Sequence, residues 1–138
     1  VCVSPENNLY IYGSTETNNG GTATNLPVYA VLGAGGTVSN LCGNSSNGQR
    51  NKLGVRRYVK YTVSTAGSKT ITITGPSGSD PDILVYKQGV LQGSADSTGN
   101  TERYSGSFTT GVYVLEIFEF SHITGTSRGP TCFTVTSN

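Results

Sequence analysis

Arg57-Tyr58-Val59-Lys60-Tyr61-Thr62-Val63 decides how this chain is read. Val59, Tyr61 and Val63 fall on one side of an extended strand, and Tyr58, Lys60 and Thr62 on the other. That period of two belongs to strands, whose successive side chains point to opposite faces. Ala66-Gly67 then marks a turn, and Lys69-Thr70-Ile71-Thr72-Ile73-Thr74 alternates again with Ile71 and Ile73 inward. After a break at Gly75-Pro76-Ser77-Gly78, the segment Asp82-Ile83-Leu84-Val85-Tyr86-Lys87 is more continuously apolar and reads as a central strand covered on both sides. Val112-Tyr113-Val114-Leu115-Glu116-Ile117-Phe118-Glu119-Phe120 is the strongest run, with Tyr113, Leu115 and Ile117 toward the core. Glu119 lands on that same face, so the strand is expected to end or bulge near Phe118. Cys132-Phe133-Thr134-Val135-Thr136 reads as the last strand.

Outward from this block the signal thins. Leu9-Tyr10-Ile11-Tyr12 and Pro27-Val28-Tyr29-Ala30-Val31-Leu32 are candidate strands, and Val90-Leu91-Gln92 is a short one. Residues 15–25, with Asn19-Gly20, and 40–51, with Asn47-Gly48, read as polar loops. A long polar stretch is expected after Gln92, up to Tyr104. No segment places apolar residues at helical spacing over three turns. About eight short strands joined by polar turns predict an all-β fold, an antiparallel β-sandwich or jelly roll. The 138 residues suit one domain. The loop-rich residues 1–55 are too poor in apolar side chains to fold alone, so the chain is read as a single domain, 1–138.

Composition excludes several functions. Charged residues make up 12%, about half the usual share. The net charge is +1, and the nine Lys and Arg are scattered, with only Arg56-Arg57 adjacent. Nucleic acid would require a basic stripe, and none is present. No apolar stretch reaches the roughly 20 residues that span a bilayer. The chain starts at Val1 with no signal-peptide pattern, so a mature or excised product is expected. A surface rich in Ser, Thr, Asn and Gly points to a secreted, extracellular protein, where a disulfide would persist. Cys2, Cys42 and Cys132 permit one internal bridge in any pairing and leave one thiol over, buried, free or bonded to another chain.

Residues 56–137 resemble the bacterial pre-peptidase C-terminal (PPC) domain family through an ordered series of short signatures. Arg57 to Val63 resembles its opening aromatic strand, followed by the Ala66-Gly67 turn and Thr70-Ile71-Thr72-Ile73. Ser79-Asp80-Pro81-Asp82-Ile83-Leu84-Val85-Tyr86 is similar to its Asp-rich turn running into a hydrophobic strand. Asn100-Thr101-Glu102 matches a later polar segment, Thr110 to Ile117 the Gly-x-Tyr strand, and Cys132-Phe133-Thr134-Val135 the closing strand. Residues 1–55 are longer than the family's lead-in, and its acidic opening is only faintly matched by Ser4-Pro5-Glu6-Asn7-Asn8. The resemblance implies an eight-stranded sandwich attached to a secreted hydrolase, with calcium or an insoluble substrate such as collagen or polysaccharide as ligand.

The residues themselves offer little for bond-making chemistry. His122 is the one histidine and is read as a surface or loop residue; no G-x-S-x-G elbow accompanies it. Glu116 and Glu119 are expected on opposite faces of one strand, as solvated or strand-end residues, not as a glycosidase pair. No catalytic residue is assigned. Asp80 and Asp82 set two hard oxygen donors in one turn, and Glu6, Asn7 or Asn8 could complete a calcium site, with Glu6 and Asn8 the favoured additions; alternatively Asp80 makes a simple Asx turn. Among eight tyrosines, Tyr10, Tyr12, Tyr58, Tyr86 and Tyr104 are candidates for exposure, with Tyr58, Tyr86 and Tyr104 the ligand-binding set. Asn44-Ser45-Ser46 is a glycosylation sequon where the source glycosylates. The expected function is a non-catalytic accessory module of an extracellular hydrolase, binding a polysaccharide or protein matrix. The alternative is a self-assembling structural subunit, filament or surface layer, whose partners are other copies of itself.

Overall fold

Alternating strands can hide their apolar side chains only by laying one sheet against another, and this chain does so. The computed structural model describes residues 29–46, 48, 49 and 52–138. Among them are β1 (Tyr29–Leu32), β2 (Thr37–Gly43), β3 (Arg56–Val63), β4 (Gly67–Thr74), β5 (Pro81–Lys87), β6 (Val90–Ala95), β7 (Thr101–Phe108), β8 (Gly111–Glu119) and β9 (Thr131–Ser137). Two short helices, α1 (Lys52–Val55) and α2 (Phe120–Thr124), fill connections. Sheet A runs β1-β3-β8-β5-β6, and sheet B runs β2-β9-β4-β7. The pairings are antiparallel except β1 with β3, which is parallel. The chain is therefore the all-β sandwich its alternation predicts.

The core lies between the sheets. Val59, Tyr61, Val85 and Leu115 from sheet A meet Ile71, Ile73 and Val135 from sheet B, all fully buried. Phe108 closes one end, edge-on to Tyr61 at 5.7 Å, Tyr104 at 5.9 Å and Tyr113 at 4.8 Å between ring centroids. At the other end the inward position before Val59 is Arg57, which is buried. Its Nε donates to the Cys42 carbonyl at 2.8 Å, tying sheet A to the end of β2.

Several expectations need correction. The segment expected as a loop from Asn40 begins inside β2, which bulges between Val38 and Leu41 with Asn40 at φ 55°. The polar stretch before Tyr104 contains the end of β6 and the start of β7. β7 escapes a hydrophobic reading because its inward positions include Glu102 and Gly106. β8 ends at Glu119, beside Phe118 as expected and without a bulge, and the Glu119 carboxylate caps α2. Leu9 to Tyr12 lies outside the described residues. Residues 29–43 supply one strand to each sheet. Cys42 and Cys132 face each other across β2 and β9 and form a disulfide; Cys2 lies outside the described residues.

Candidate binding face

The outer face of sheet A follows from register. β8 is the central strand, with β3 on one side and β5 on the other. Cross-strand pairing sets Tyr58 beside Glu116 and Glu116 beside Leu84. The next row is Lys60, Val114 and Tyr86, and the row before is Arg56, Phe118 and Asp82. Glu116 thus sits at the middle of a solvent-side surface and is nonetheless buried, at 4% exposure. Tyr58 and Tyr86 pack against Val114 and cover it completely.

Burying a carboxylate requires partners. The Tyr58 hydroxyl donates to Glu116 Oε1 at 2.8 Å. Arg56 Nη1 lies 3.7 Å from Glu116 Oε1, while its guanidinium stacks 4.3 Å from the centre of the Phe118 ring. Burial pushes the Tyr58 hydroxyl far above the ordinary phenol value, with the Glu116 charge adding to it. Tyr86 is raised by the same causes in the same order, against a lowering by Arg56. Both phenols therefore keep their protons, and the Tyr58 hydroxyl is fixed as a donor to Glu116.

Of the predicted ligand-binding set, this face unites Tyr58 and Tyr86 but not Tyr104. Tyr104 lies on the inward side of β7, partly buried against the core and edge-on to Phe108. Gly93 makes room for it: a Cβ there would come 2.7 Å from the Tyr104 hydroxyl. Tyr10 and Tyr12 lie outside the described residues. Glu116, Arg56 and Phe118 were missed as members of the face. Parity alone puts them outward, but only the register of β3 on β8 sets them beside the tyrosines.

The Asp-rich turn builds a second cluster. The Asp80 backbone N–H donates to both Glu119 oxygens, at 3.1 and 2.9 Å, and Asp80 Oδ1 accepts from the Gly99 N–H at 3.0 Å. Glu102 accepts from the backbone of Ser97 and Arg103 and from the Ser97 hydroxyl. Asp82 is buried at 7% exposure. Desolvation first, then the charges of Asp80, Asp96, Glu102 and Glu119, push its pKa up to about 7. Asp80, Glu102 and Glu119 already use oxygens on backbone N–H groups, and no three His, Cys, Asp or Glu group as a metal needs among the described residues. Glu6 and Asn8 lie outside those residues.

The remaining candidates are structural. His122 is fully buried in α2, correcting the expectation of a surface residue. Its Nε2 lies 2.8 Å from the Gly129 carbonyl, where it pins the following loop. Glu119 is buried, not solvated, and acts as the cap of α2. Asn44 of the sequon is buried, its Oδ1 accepting from Ser46.

With the geometry in view, comparison with known proteins bears on the fold. The PPC domain of a collagenase from Bacillus anthracis superposes with a TM-score of 0.58 at 12% identity, covering 80% of this chain and 94% of that one. The likeness is one of fold. A periplasmic inhibitor of g-type lysozyme from Aeromonas hydrophila follows at TM-score 0.45 and 12% identity, covering 80% of this chain and 97% of that one. A carbohydrate-binding module of a Cellvibrio mixtus lichenase gives 0.37 at 13% identity, covering 76% and 71%. No family model and no curated protein matches the sequence. The sandwich is thus PPC-like in architecture. Among the described residues no helix is long and apolar enough to cross a membrane.

Proposed function

We propose that this chain is a non-catalytic, secreted accessory module that holds an extracellular hydrolase to an insoluble substrate through the outer face of sheet A. One observation carries the reading: Tyr58 and Tyr86 lie side by side over Val114 on the outer face of sheet A, with the Tyr58 hydroxyl fixed to Glu116. A sheet face normally carries independent polar residues there. Pre-ordered aromatic rings lower the entropy lost on binding, and tyrosine is enriched at contact surfaces. The PPC-like fold supports the accessory role by analogy of architecture. The cross-strand disulfide supports an oxidising compartment. The test is co-sedimentation with insoluble polysaccharides and with collagen fibrils. The wild-type chain should bind one of these classes, and Tyr58→Ala and Tyr86→Ala should each abolish it. Binding untouched by both variants would remove this face from consideration.

A second reading, self-assembly into a structural array, draws on the edge of sheet A. Among the described residues β1 ends that sheet with no charge or proline in Tyr29–Leu32, and Val31 is exposed. Unguarded edges pair with other strands. Solution mass decides: a monomer at all concentrations ends this reading.

A further inference from the structure

We infer that β1 is the accepting edge through which copies of this chain join, and that the strand added to it is Leu9-Tyr10-Ile11-Tyr12 of a second copy; this rests on the self-assembly reading above and names its partner. Among the described residues the two sheets have four edge strands, β1 and β6 in sheet A and β2 and β7 in sheet B. Three carry features that keep edges from pairing. β2 is broken by its bulge between Val38 and Leu41, with Asn40 at φ 55°. β6 breaks register on β5 between Gly93 and Leu91, with Gln92 as the extra residue. β7 carries the exposed Arg103 beside Glu102. β1 has none of these: its four residues run in unbroken register along β3 and hold no charge or proline. Its Val31 is set beside Lys60, on the outer face, and is 63% exposed.

The occupant follows from length and composition. Two β1 strands paired across a two-fold axis would share only four residues a side. Each backbone hydrogen bond is worth little net of the water it replaces, and fixing two sandwiches together costs more than so few supply. A strand that brings apolar side chains of its own changes that balance. Leu9-Tyr10-Ile11-Tyr12 is the longest apolar run in residues 1–28 and matches β1 in length. At a period of two, Leu9 and Ile11 share one side and Tyr10 and Tyr12 the other. The aliphatic side continues the interior, and the phenol side lies beside Val31. Sixteen residues, 13–28, join the run to β1, and eleven of them are Gly, Ser, Thr or Asn. Hairpin connections take about two to five residues, so the run is not spaced to fold back on its own strand. A linker of this length and composition spans roughly 20 Å, the width of about four strands, which carries the run to a neighbour. Each copy then gives one strand and accepts one, a head-to-tail contact that extends and does not close.

Light scattering on the whole chain over a range of concentrations tests this, with thermal unfolding of every variant as the measure of folding. The wild-type mass should rise with concentration. Ile11→Pro, in the donated run, and Val31→Glu, which charges the accepting edge, should each raise the concentration required about tenfold or more. A synthetic peptide of residues 7–14 should lower the wild-type mass by occupying the edge, and it carries the test if either variant fails to fold. Cross-linking identifies the partner. In a Cys2→Ser background, chains with Tyr10→Cys or Ile11→Cys, one for each parity, are mixed with a chain carrying Val31→Cys, and one mixture should give a cross-linked pair of chains. Assembly untouched by Ile11→Pro and Val31→Glu overturns this assignment and leaves self-assembly standing. Assembly lost in Val31→Glu but kept in Ile11→Pro, with no cross-link, overturns the donated run and leaves β1 as the contact. A monomer at every concentration overturns both readings, and a bridge formed within one chain by Ile11→Cys/Val31→Cys then places the run on its own edge.

Discussion

On the outside of sheet A, Glu116 meets groups that hold a proton or positive charge, the Tyr58 phenol and the Arg56 guanidinium. At the head of β5, Asp82 is surrounded by other carboxylates. Both side chains are buried on the same sheet, yet they answer to opposite rules. A carboxylate buried among donors has its oxygens satisfied and orders its neighbours, whereas one buried among acids is pushed toward taking a proton. Asp80, Glu102 and Glu119 beside Asp82 accept from backbone N–H groups, so that end is a joint between turns. Burial of acids alone therefore does not mark a site; the company they keep decides.

The largest break in this comparison should come from Glu119→Ala. It removes the acceptor of the Asp80 N–H and the cap of α2 together, and a loss of about 3 kcal/mol in chemical denaturation is expected. Glu116→Ala should cost less, about 2 kcal/mol, because Arg56 and the tyrosine hydroxyls can turn toward water.

The two regions should also separate by pH. Asp82 is pushed up to about 7 when folded, against an ordinary aspartate value of 3.8, so the folded state holds the extra proton between them. Stability should then fall as pH rises from about 4 to about 7 and level off above. Asp82→Asn should flatten that slope and raise the melting temperature at neutral pH relative to wild type. The phenols work at the other extreme. Their folded values lie above the ordinary 10.0, so their contribution is whole below that pH and is lost above it. Tyr58→Phe should weaken the alkaline decline and leave the acid-side slope unchanged.

Smaller still is Tyr61→Phe in the core. The Tyr61 hydroxyl is buried without a hydrogen-bond partner among the described residues, so its removal should change stability by less than about 1 kcal/mol, toward greater stability. Calcium sharpens the acidic end. Because its oxygens are engaged by backbone N–H groups, a chelator should leave the melting temperature unchanged. A rise on adding calcium would bring Glu6 or Asn8 into the cluster.

The sandwich was legible wherever one face of a strand is apolar, as in β3, β4, β8 and β9. It was illegible in β7, where the core side is made by Glu102, Tyr104, Gly106 and Phe108, and in β2, where a bulge at Asn40 breaks the period. Tyr58 and Tyr86 could be read as outward by parity, but Tyr104 could not be read as inward, because its strand carried no alternation to set the phase. The partnership with Glu116 needed register, which is a property of two strands and not of either sequence alone. His122 misled because a small polar segment after a strand resembles a surface loop, and its burial depends on the hydrogen bond to Gly129.

The bond between Cys42 and Cys132 spans a sequence separation of 90 and closes most of the sandwich into one covalent loop. A single nick anywhere inside the loop therefore does not release a fragment. A once-cut molecule would run as one piece on a gel without reductant and as two with it, and the sheets would keep the severed ends in place.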